Sequence, residues 1–280
     1  MAPFAIIFFT FVILPVFVAI FYSFTYFNIL EDPVFIGVRN YIRLFFADDL
    51  FITALTNTLQ IALITGPVGY LLCLIIAWLI NELPRPLRAV FTLCFYAPAI
   101  SSVFFIWSII FSGDHHGIIN SMLLRYDFIS APIQFLTDPD YIMPIAIFIT
   151  IWVSMGTSFL AFIAGLQGVD RTLYEAGAID GIKNRWQELW YITLSSIKGQ
   201  LLFAAVMSIT SAFTVGGVIT GLFGGAVTTN YAAWTVAHHL DDFGGVRFEM
   251  GYASAIATVL FVMMFGCNLL IQKLLRKVGT

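Results

Sequence analysis

Charged residues are scarce in this chain. Only 10% of its 280 residues are charged, whereas 60% are apolar. A soluble domain carries about a quarter charged residues, so the composition excludes an ordinary soluble protein and predicts an integral membrane protein. The 13 basic and 16 acidic residues nearly balance, which argues against nucleic acid as a partner.

Disulfide and metal-binding patterns are also missing. The three cysteines lie in separate apolar stretches, which indicates buried thiols rather than a disulfide framework. His115-His116 and His238-His239 lie in short polar segments without a third ligand at a suitable spacing. We therefore expect no metal site.

A nucleotide-binding motif is missing as well. A phosphate-binding loop ends in Gly-Lys-Ser or Gly-Lys-Thr, and the sequence contains no Gly-Lys pair. It also offers no set of lysine and carboxylates for phosphoryl transfer. We expect a non-catalytic chain that holds no cofactor of its own.

Six uncharged runs are long enough to cross a bilayer, for which a helix needs about 20 apolar residues. Backbone groups inside a bilayer must pair with one another, so the runs are predicted to be helices. The fifth run becomes glycine-rich, and its helix is expected to end near Leu222. We predict one all-α domain over 1–280 with spans at about 3–28, 53–80, 89–112, 142–168, 199–222 and 251–273.

The distribution of basic residues predicts the orientation of these spans. Nine of the 13 Lys and Arg residues lie in the loop 82–88, the segment 170–198 and the tail 273–280. The opposite loops hold the other four, together with 11 of the 16 acidic residues. Since cytoplasmic loops carry the excess of Lys and Arg, both termini are predicted to be cytoplasmic.

The segment 170–198, the longest predicted cytoplasmic connection, has features of two short helices. Asp170 is a candidate N-cap for a helix that reaches Ile179, and Asn184 is a candidate N-cap for a second helix. Gly181 permits a bend between them. The small residues 176–178 leave a low surface that another protein could approach. By physics alone, a docking site and an amphipathic helix on lipid headgroups are equally good interpretations.

The sequence of this segment favours docking. Glu175-Ala-Gly, Asp180-Gly181 and Ile192-Thr-Leu194 resemble the "EAA" loop of ABC importer permeases, which reads Glu-Ala-Ala, three residues, Gly and later Ile-x-Leu-Pro. Gly177 replaces the usual alanine, and Ser195 and Gly199 replace prolines. Further motifs that extend the resemblance over nearly the whole chain are Asn40-Tyr41, Asn57-Thr58, Tyr96-Ala-Pro98, Gly117-Ile-Ile-Asn120, Trp152, Gly165-Leu-Gln167, Gly224-Gly225 and Gly251-Tyr-Ala-Ser254.

Together these motifs resemble the larger permease of maltose-type carbohydrate importers. The resemblance implies a type I ABC importer permease fold in the plasma membrane of a prokaryote. It implies as partners a second homologous permease, two cytoplasmic ATPase subunits that bind ATP and Mg²⁺, an extracytoplasmic solute-binding protein, membrane lipid and a sugar substrate. The residues implied to couple the chain to the ATPase are Glu175, Ala176, Gly177, Asp180 and Gly181.

Uncharged polar residues on two spans are candidates for substrate binding. No charged residue lies in the interior of a predicted span, which disfavours an ion-coupled carrier and a strongly ionic substrate. The candidates, at positions that match the central cavity of maltose-type permeases, are Thr150, Trp152, Ser154, Thr157, Ser208 and Ser211. Small polar residues also serve packing between membrane helices, so both roles stay open. An importer of a non-sugar solute and a secondary transporter are the alternative functions.

Overall fold

The computed structural model describes residues 2–100 and 104–275. These residues are almost entirely helical. The exception is a small hairpin in which β1 (Thr25–Tyr26) pairs antiparallel with β2 (Val34–Phe35). The prediction of an all-α chain is confirmed apart from this hairpin.

The first apolar run forms a helix that packs against α16 through its second half and is otherwise exposed. It consists of α1 (Ala2–Phe8), a π-helical turn (Phe9–Ile13) and α2 (Leu14–Tyr22). The turn immediately precedes Leu14-Pro15, and a proline removes one helix hydrogen bond. None of the most apolar part of this helix is buried. The helix ends at Tyr22, earlier than the predicted position 28, because the hairpin follows.

The second run forms the longest helix of the molecule. After α3 (Arg39–Phe46), α4 extends over Asp49–Asn81. The side chain of Asp48 caps α4 by accepting a hydrogen bond from the Phe51 N–H. Pro67 lies inside α4 without ending it.

The third and fourth runs each form two helices. The third contains α5 (Arg85–Ile100) and α6 (Phe104–Ile110), and the part of its predicted span at 101–103 lies outside the described residues. After α7 (Ile118–Arg125), the fourth contains α8 (Pro139–Val153) and α9 (Thr157–Gln167).

The 170–198 loop contains three short helical pieces joined to the fifth run by a sharp bend. The pieces are α10 (Arg171–Ile179), then α11 (Arg185–Gln187) with a π-helical turn (Glu188–Thr193), and then α12 (Leu194–Ser196). The helices Arg185–Ser196 and Lys198–Phe213 meet at 84°. Ile197 lies at this corner and is only 1% exposed. Its buried side chain holds the bend at the place where the EAA loop of ABC importer permeases has prolines.

The rest of the chain returns through two more helical segments. α13 (Lys198–Phe213) is followed by α14 (Gly216–Phe223), which ends at the left-handed Gly224. A 3₁₀ turn (Thr229–Tyr231), α15 (Val236–Asp241) and a π-helical turn (Asp242–Val246) lead to α16 (Met250–Leu275).

Within the described residues, four helices are long and apolar enough to cross a membrane, and the number rises to as many as six if each bent helix pair counts as one span. The basic residues Arg276 and Lys277 of the tail lie outside the described residues. Around α4, α9 and α13 the apolar core forms separate clusters. One contains Phe159, Phe162 and Ile197, and another contains Phe51, Phe213 and Trp234.

Candidate functional site

A central cavity of about 350 Å³ lies where two of the helices are interrupted. One interruption separates α8 from α9 at residues 154–156, and the other separates α13 from α14 at Thr214 and Val215. Irregular backbone at membrane depth is tolerated only where it is buried in protein or lines a cavity. Both interruptions line this same cavity.

Hydroxyl groups dominate the polar part of the cavity wall. Among the described residues no charged side chain lines it. Apolar residues such as Val153, Met207 and Val218 complete the wall. The hydroxyl-bearing side chains that line the cavity are Thr65, Tyr96, Thr150, Ser154, Thr157, Ser158, Ser208, Ser211 and Thr214.

Close helix packing brings α4 to the interruption between α8 and α9. The Ser154 hydroxyl donates a hydrogen bond to Ile151 O at 2.6 Å. A β-carbon at Gly69 would lie 2.6 Å from Ser154 Oγ. Glycine at this position therefore lets α4 approach the broken helix and carry Thr65 to the cavity.

Five of the six predicted substrate-binding residues line the cavity: Thr150, Ser154, Thr157, Ser208 and Ser211. The sixth, Trp152, is not among the residues that line it. A residue two positions from Thr150 and Ser154 points to the opposite side of a helix. Trp152 packs there against the Trp107 ring, with 5.2 Å between ring centroids.

The sequence analysis missed other residues of the cavity wall. Ser158 lies four positions after Ser154, and Thr214 lies three positions after Ser211, so both continue the predicted faces but were not included in them. Thr65 is an isolated threonine in a long apolar run, and its side chain is 3% exposed. No pattern in the sequence distinguishes Thr65 from a packing residue.

The local structure of the 170–198 loop agrees with the predicted caps and bend. Asp170 accepts a hydrogen bond from the Thr172 N–H at 3.0 Å, and the hydrogen bonds from Thr172 lower the pKa of Asp170. Asn184 accepts a hydrogen bond from the Gln187 N–H at 2.9 Å. Gly181 has φ +95°, a conformation that glycine adopts without steric cost.

Two contacts fix α10 to the following π-helical turn. The Tyr174 hydroxyl lies 2.9 Å from Thr193 Oγ1. Gly177 is buried, and a β-carbon there would lie 2.6 Å from Ile192 Cδ1. The prediction that Gly177 belongs to the low outer surface is therefore wrong, because it faces this contact instead. Its neighbours Ala176 and Ala178 are exposed.

The second half of the loop is attached to the end of α4. The Trp186 and Trp78 rings pack with 5.1 Å between their centroids. Arg185 forms ion pairs with Glu82 at 3.0 Å and with Glu188 at 2.8 Å. The hydrogen bond to Glu188 and the charge of Glu82 raise the pKa of Arg185. The exposed partners are worth about 0–1 kcal/mol per pair, so the ring contact contributes most of the attachment.

One face of α10 is left uncovered by the described residues. Ile179 is 87% exposed, and Leu173 is 46% exposed. Glu175, Ala176 and Asp180 are also exposed. The helix is thus fixed on one side and presents a mixed apolar and acidic surface on the other.

A buried polar network lies at the opposite end of the molecule. We call it the histidine layer, and it consists of Asp48, Trp234, His238, His239 and Tyr252. Asp48 accepts hydrogen bonds from Tyr252 at 2.7 Å and from His239 Nε2 at 3.0 Å. Burial alone would raise the pKa of Asp48, but the hydrogen bonds from Tyr252 and the Phe51 N–H lower it.

Both histidines of this layer have defined partners. Trp234 Nε1 donates to His239 Nδ1 at 3.3 Å. His238 Nε2 lies 3.0 Å from Gly216 O, which ties α15 to the start of α14. Burial lowers the pKa of both imidazoles. Among the described residues no group of three or more His, Cys, Asp or Glu could hold a metal ion.

Several of the quoted sequence motifs hold the loops around this layer. Asn40 Nδ2 donates to Ser23 O and Thr25 O, both at 2.9 Å. Asn57 Nδ2 donates to Trp234 O at 3.0 Å, and Thr58 accepts from the Val236 N–H at 2.9 Å. These side chains satisfy backbone groups that have no partner in a helix.

Comparison with known proteins places this architecture among transport proteins. No protein-family model matches the sequence. The chain is 30% identical over 277 residues to the probable ABC transporter permease protein YurN of Bacillus subtilis, covering 97% of this chain and 93% of the relative. It is also 30% identical over 277 residues to the arabinooligosaccharides transport system permease protein AraP of Bacillus subtilis, covering 98% and 86%.

A solved structure has a similar fold. It is a chain of a bacterial ABC transporter involved in the import of the acidic polysaccharide alginate. The two chains have a TM-score of 0.77 at 25% identity, and the match covers 99% of this chain and 94% of the other. A chain from the crystal structure of a bacterial alginate ABC transporter in complex with an alginate pentasaccharide-bound periplasmic protein also matches, with a TM-score of 0.74 at 25% identity.

Proposed function

This chain belongs to the permease subunits of ABC transporters, and we propose that it imports a neutral sugar or oligosaccharide through the central cavity. The observation that carries this proposal is the cavity wall, in which hydroxyl groups line two helix interruptions and no described side chain is charged. Uncharged hydrogen-bonding groups suit a neutral, hydroxyl-rich solute. The arabinooligosaccharide permease of Bacillus subtilis is a relative with a substrate of this class.

The alginate importer is a useful contrast. That transporter imports an acidic polysaccharide, and binding of such a solute calls for basic groups. The described wall of this cavity offers none. A phosphate ester is disfavoured for the same reason, and a polyamine is disfavoured because none of the described residues that line the cavity is acidic.

The chain has six spans and cytoplasmic termini in this proposal. Each of the two bent helix pairs then counts as one span. The nine-to-four distribution of basic residues places the 170–198 loop in the cytoplasm. The histidine layer then lies on the extracytoplasmic side of the membrane. The membrane in this proposal is the plasma membrane of a prokaryote.

A second, homologous permease completes the pathway. Thr157, Ser211 and Thr214 line the cavity and are exposed in the isolated chain. Exposed polar groups at membrane depth require a polar neighbour or water. A second subunit of the same fold would cover this open side, and an extracytoplasmic binding protein would deliver the sugar from the histidine-layer end.

The energy for transport comes from two cytoplasmic ATPase subunits. These partner subunits bind ATP and Mg²⁺, and this chain itself holds no cofactor in the proposal. The uncovered face of α10, with Glu175, Ala176, Ile179 and Asp180, is the docking surface. Force applied to it would pass through the Tyr174–Thr193 contact to α13 and through the Trp186–Trp78 contact to α4. Both helices line the cavity, so movement of the loop would change the shape of the cavity.

Reconstitution of the complete complex tests the proposal. The permease pair, the ATPase and the binding protein are placed in liposomes, and uptake of radiolabelled arabinotriose, lactose and an alginate oligosaccharide is compared. We expect ATP-dependent uptake of a neutral sugar and none of alginate. An ATPase variant that cannot hydrolyse ATP is the control. Uptake of the acidic oligosaccharide alone, or of no sugar, would contradict the proposal.

A further inference from the structure

Tryptophan is concentrated where the 170–198 loop meets the end of α4. Trp186 packs against Trp78, with 5.1 Å between ring centroids. Trp190 is four positions after Trp186 and therefore lies on the same side of the helix Arg185–Ser196. We call Trp78, Trp186 and Trp190 the tryptophan flank, and they are three of the six tryptophans of the chain. Trp186 is 66% exposed and Trp190 is 59% exposed, so the described residues leave most of these two rings uncovered.

The other sides of this helix are already occupied. Leu189 and Leu194 are buried in a core cluster that also contains Ile80 of α4. Ile192 faces α10, since a β-carbon at Gly177 would lie 2.6 Å from Ile192 Cδ1. The tryptophan flank is therefore neither the core side nor the α10 side of the helix.

The ends of two spans fix the position of this helix in the membrane. Arg185 at its start pairs with Glu82, which directly follows the end of α4 at Asn81. Its last residue, Ser196, leads through Ile197 into α13, and the two helices meet at 84°. Membrane-spanning helices tilt by about 20° from the bilayer normal on average. The helix therefore runs close to the membrane plane, at the level where α4 ends and α13 begins.

The chemistry of the flank suits this level of a membrane. An indole ring joins an apolar body to a polar N–H group, and tryptophan is enriched at membrane–water interfaces for this reason. Lys183 precedes the helix and Lys198 follows it, and both are exposed. Within the described part of the chain neither lysine forms an ion pair. Both ammonium groups are therefore available to the phosphates of lipid headgroups.

We propose that the tryptophan flank is buried in the headgroup layer of the bilayer, on the side of the membrane that carries the 170–198 loop. The loop then has two surfaces with different partners. The uncovered face of α10 docks on the ATPase in the proposed function, whereas the tryptophan flank contacts lipid. This inference goes beyond the transport function and holds whichever solute is carried.

Fluorescence quenching in lipid nanodiscs tests this contact. A bimane label is attached at Trp190→Cys in a complex from which the other reactive cysteines have been removed. The permease pair and its ATPase are assembled in nanodiscs of phosphatidylcholine and phosphatidylglycerol. Phosphatidylcholine that is brominated near the headgroup should quench the label strongly. Bromine near the end of the acyl chain should quench it weakly, and so should aqueous iodide.

Two further variants complete the experiment. Ile179→Cys is the matched control, because Ile179 is also exposed but lies on the docking face of α10. Its label should be quenched by iodide without the ATPase, shielded with it, and insensitive to brominated lipid in both states. Trp190→Phe gives a measurement without a label, since brominated lipid should quench a smaller fraction of its intrinsic fluorescence than in the wild-type complex.

Two outcomes would overturn the lipid contact. If iodide quenched the label at position 190 freely and brominated lipid did not, the tryptophan flank would face water. If the label were shielded from both quenchers in the complete complex, a protein partner would cover the flank. Neither outcome depends on sugar uptake, so failure of this inference is distinguishable from failure of the proposed function.

Discussion

Gly177 lies where α10 meets the segment that follows it, and its missing side chain keeps them in contact. A β-carbon there would lie 2.6 Å from Ile192 Cδ1 and 3.0 Å from Ile182 Cδ1. Gly177→Val should lower the melting temperature of the complex by about 2–8 °C, because overpacking costs about 1–3 kcal/mol. Scanning fluorimetry checks this against Ala178→Val at an exposed position. Equal melting temperatures would contradict the contact.

His238 gives the histidine layer a dependence on pH. Burial lowers its pKa, although Gly216 O and Asp241 act in the opposite direction. The unfolded imidazole takes a proton near pH 6.5, whereas the folded one takes it at a lower pH. Its contribution to stability is thus complete above about pH 6.5 and is lost as the pH falls through the folded pKa.

His238→Gln tests this dependence. The glutamine Nε2 can still donate to Gly216 O but cannot titrate. The melting temperature of the wild-type complex should fall between pH 7.5 and pH 5, and the fall should be smaller in the variant. His239 contributes in the same direction, so part of the decrease remains. If the melting temperatures of the wild-type and His238→Gln complexes changed identically with pH, His238 would not contribute to the pH dependence of stability.

Single cavity residues were predictable only where they shared a helical face. Thr150 and Ser154 are four positions apart on one helix and lie together in the structure. Trp152 was included because it is near these residues in sequence, and helical geometry directs it to Trp107 rather than to the cavity wall. Thr65 was not predictable, since its approach depends on Gly69 and on a neighbouring helix that is distant in sequence.

At the scale of elements, the bend at Gly181 is the feature on which the proposed coupling to the ATPase depends. No described atom lies within 4 Å of a β-carbon built there. The constraint is therefore the backbone angle φ +95° rather than a lack of space. A β-branched residue is strongly disfavoured at positive φ.

Gly181→Val should abolish most sugar uptake and sugar-stimulated ATP hydrolysis by displacing α10 from its docking position. Co-purification of the ATPase measures docking directly. Gly199→Val is the matched control, because Gly199 is also unobstructed but has a helical backbone. Wild-type uptake and ATPase retention in Gly181→Val would leave the 170–198 loop as a membrane-surface helix only.

Local features of this loop were predictable and long-range ones were not. Caps at Asp170 and Asn184 depend on residues two or three positions away, so the sequence reveals them. The stacking of Trp186 on Trp78 joins residues far apart in the chain. Gly177 was misplaced because small residues look alike in sequence whether they face a partner or the protein's own core.

At the scale of the whole molecule, the proposed orientation has a direct test. Tyr126 is 66% exposed and follows α7, whereas Lys183 is exposed in the 170–198 loop. In a background without the three native cysteines, Tyr126→Cys should react with an impermeant maleimide added to intact cells. Lys183→Cys should react only after the cells are opened. Reaction of both from outside would contradict the six-span arrangement.

The number of possible spans followed from composition, because uncharged length is a property of the sequence alone. The internal interruptions did not follow from it. The run 141–169 reads as one helix, yet α8 and α9 are separate. Similarly, the uncharged sequence of the fifth run indicates neither the bend at Ile197 nor the interruption after Phe213.

The pairing of α2 with α16 joins the two ends of the described chain. About 230 residues separate Tyr22 from Met250, and at about 5–20 residues per second the ribosome needs roughly 10–50 s to add them. During that time α2 lacks the helix against which it packs in the finished fold. Packing of α2 is therefore completed only once α16 has been made, and a nascent chain that stalls before α16 leaves α2 without this partner.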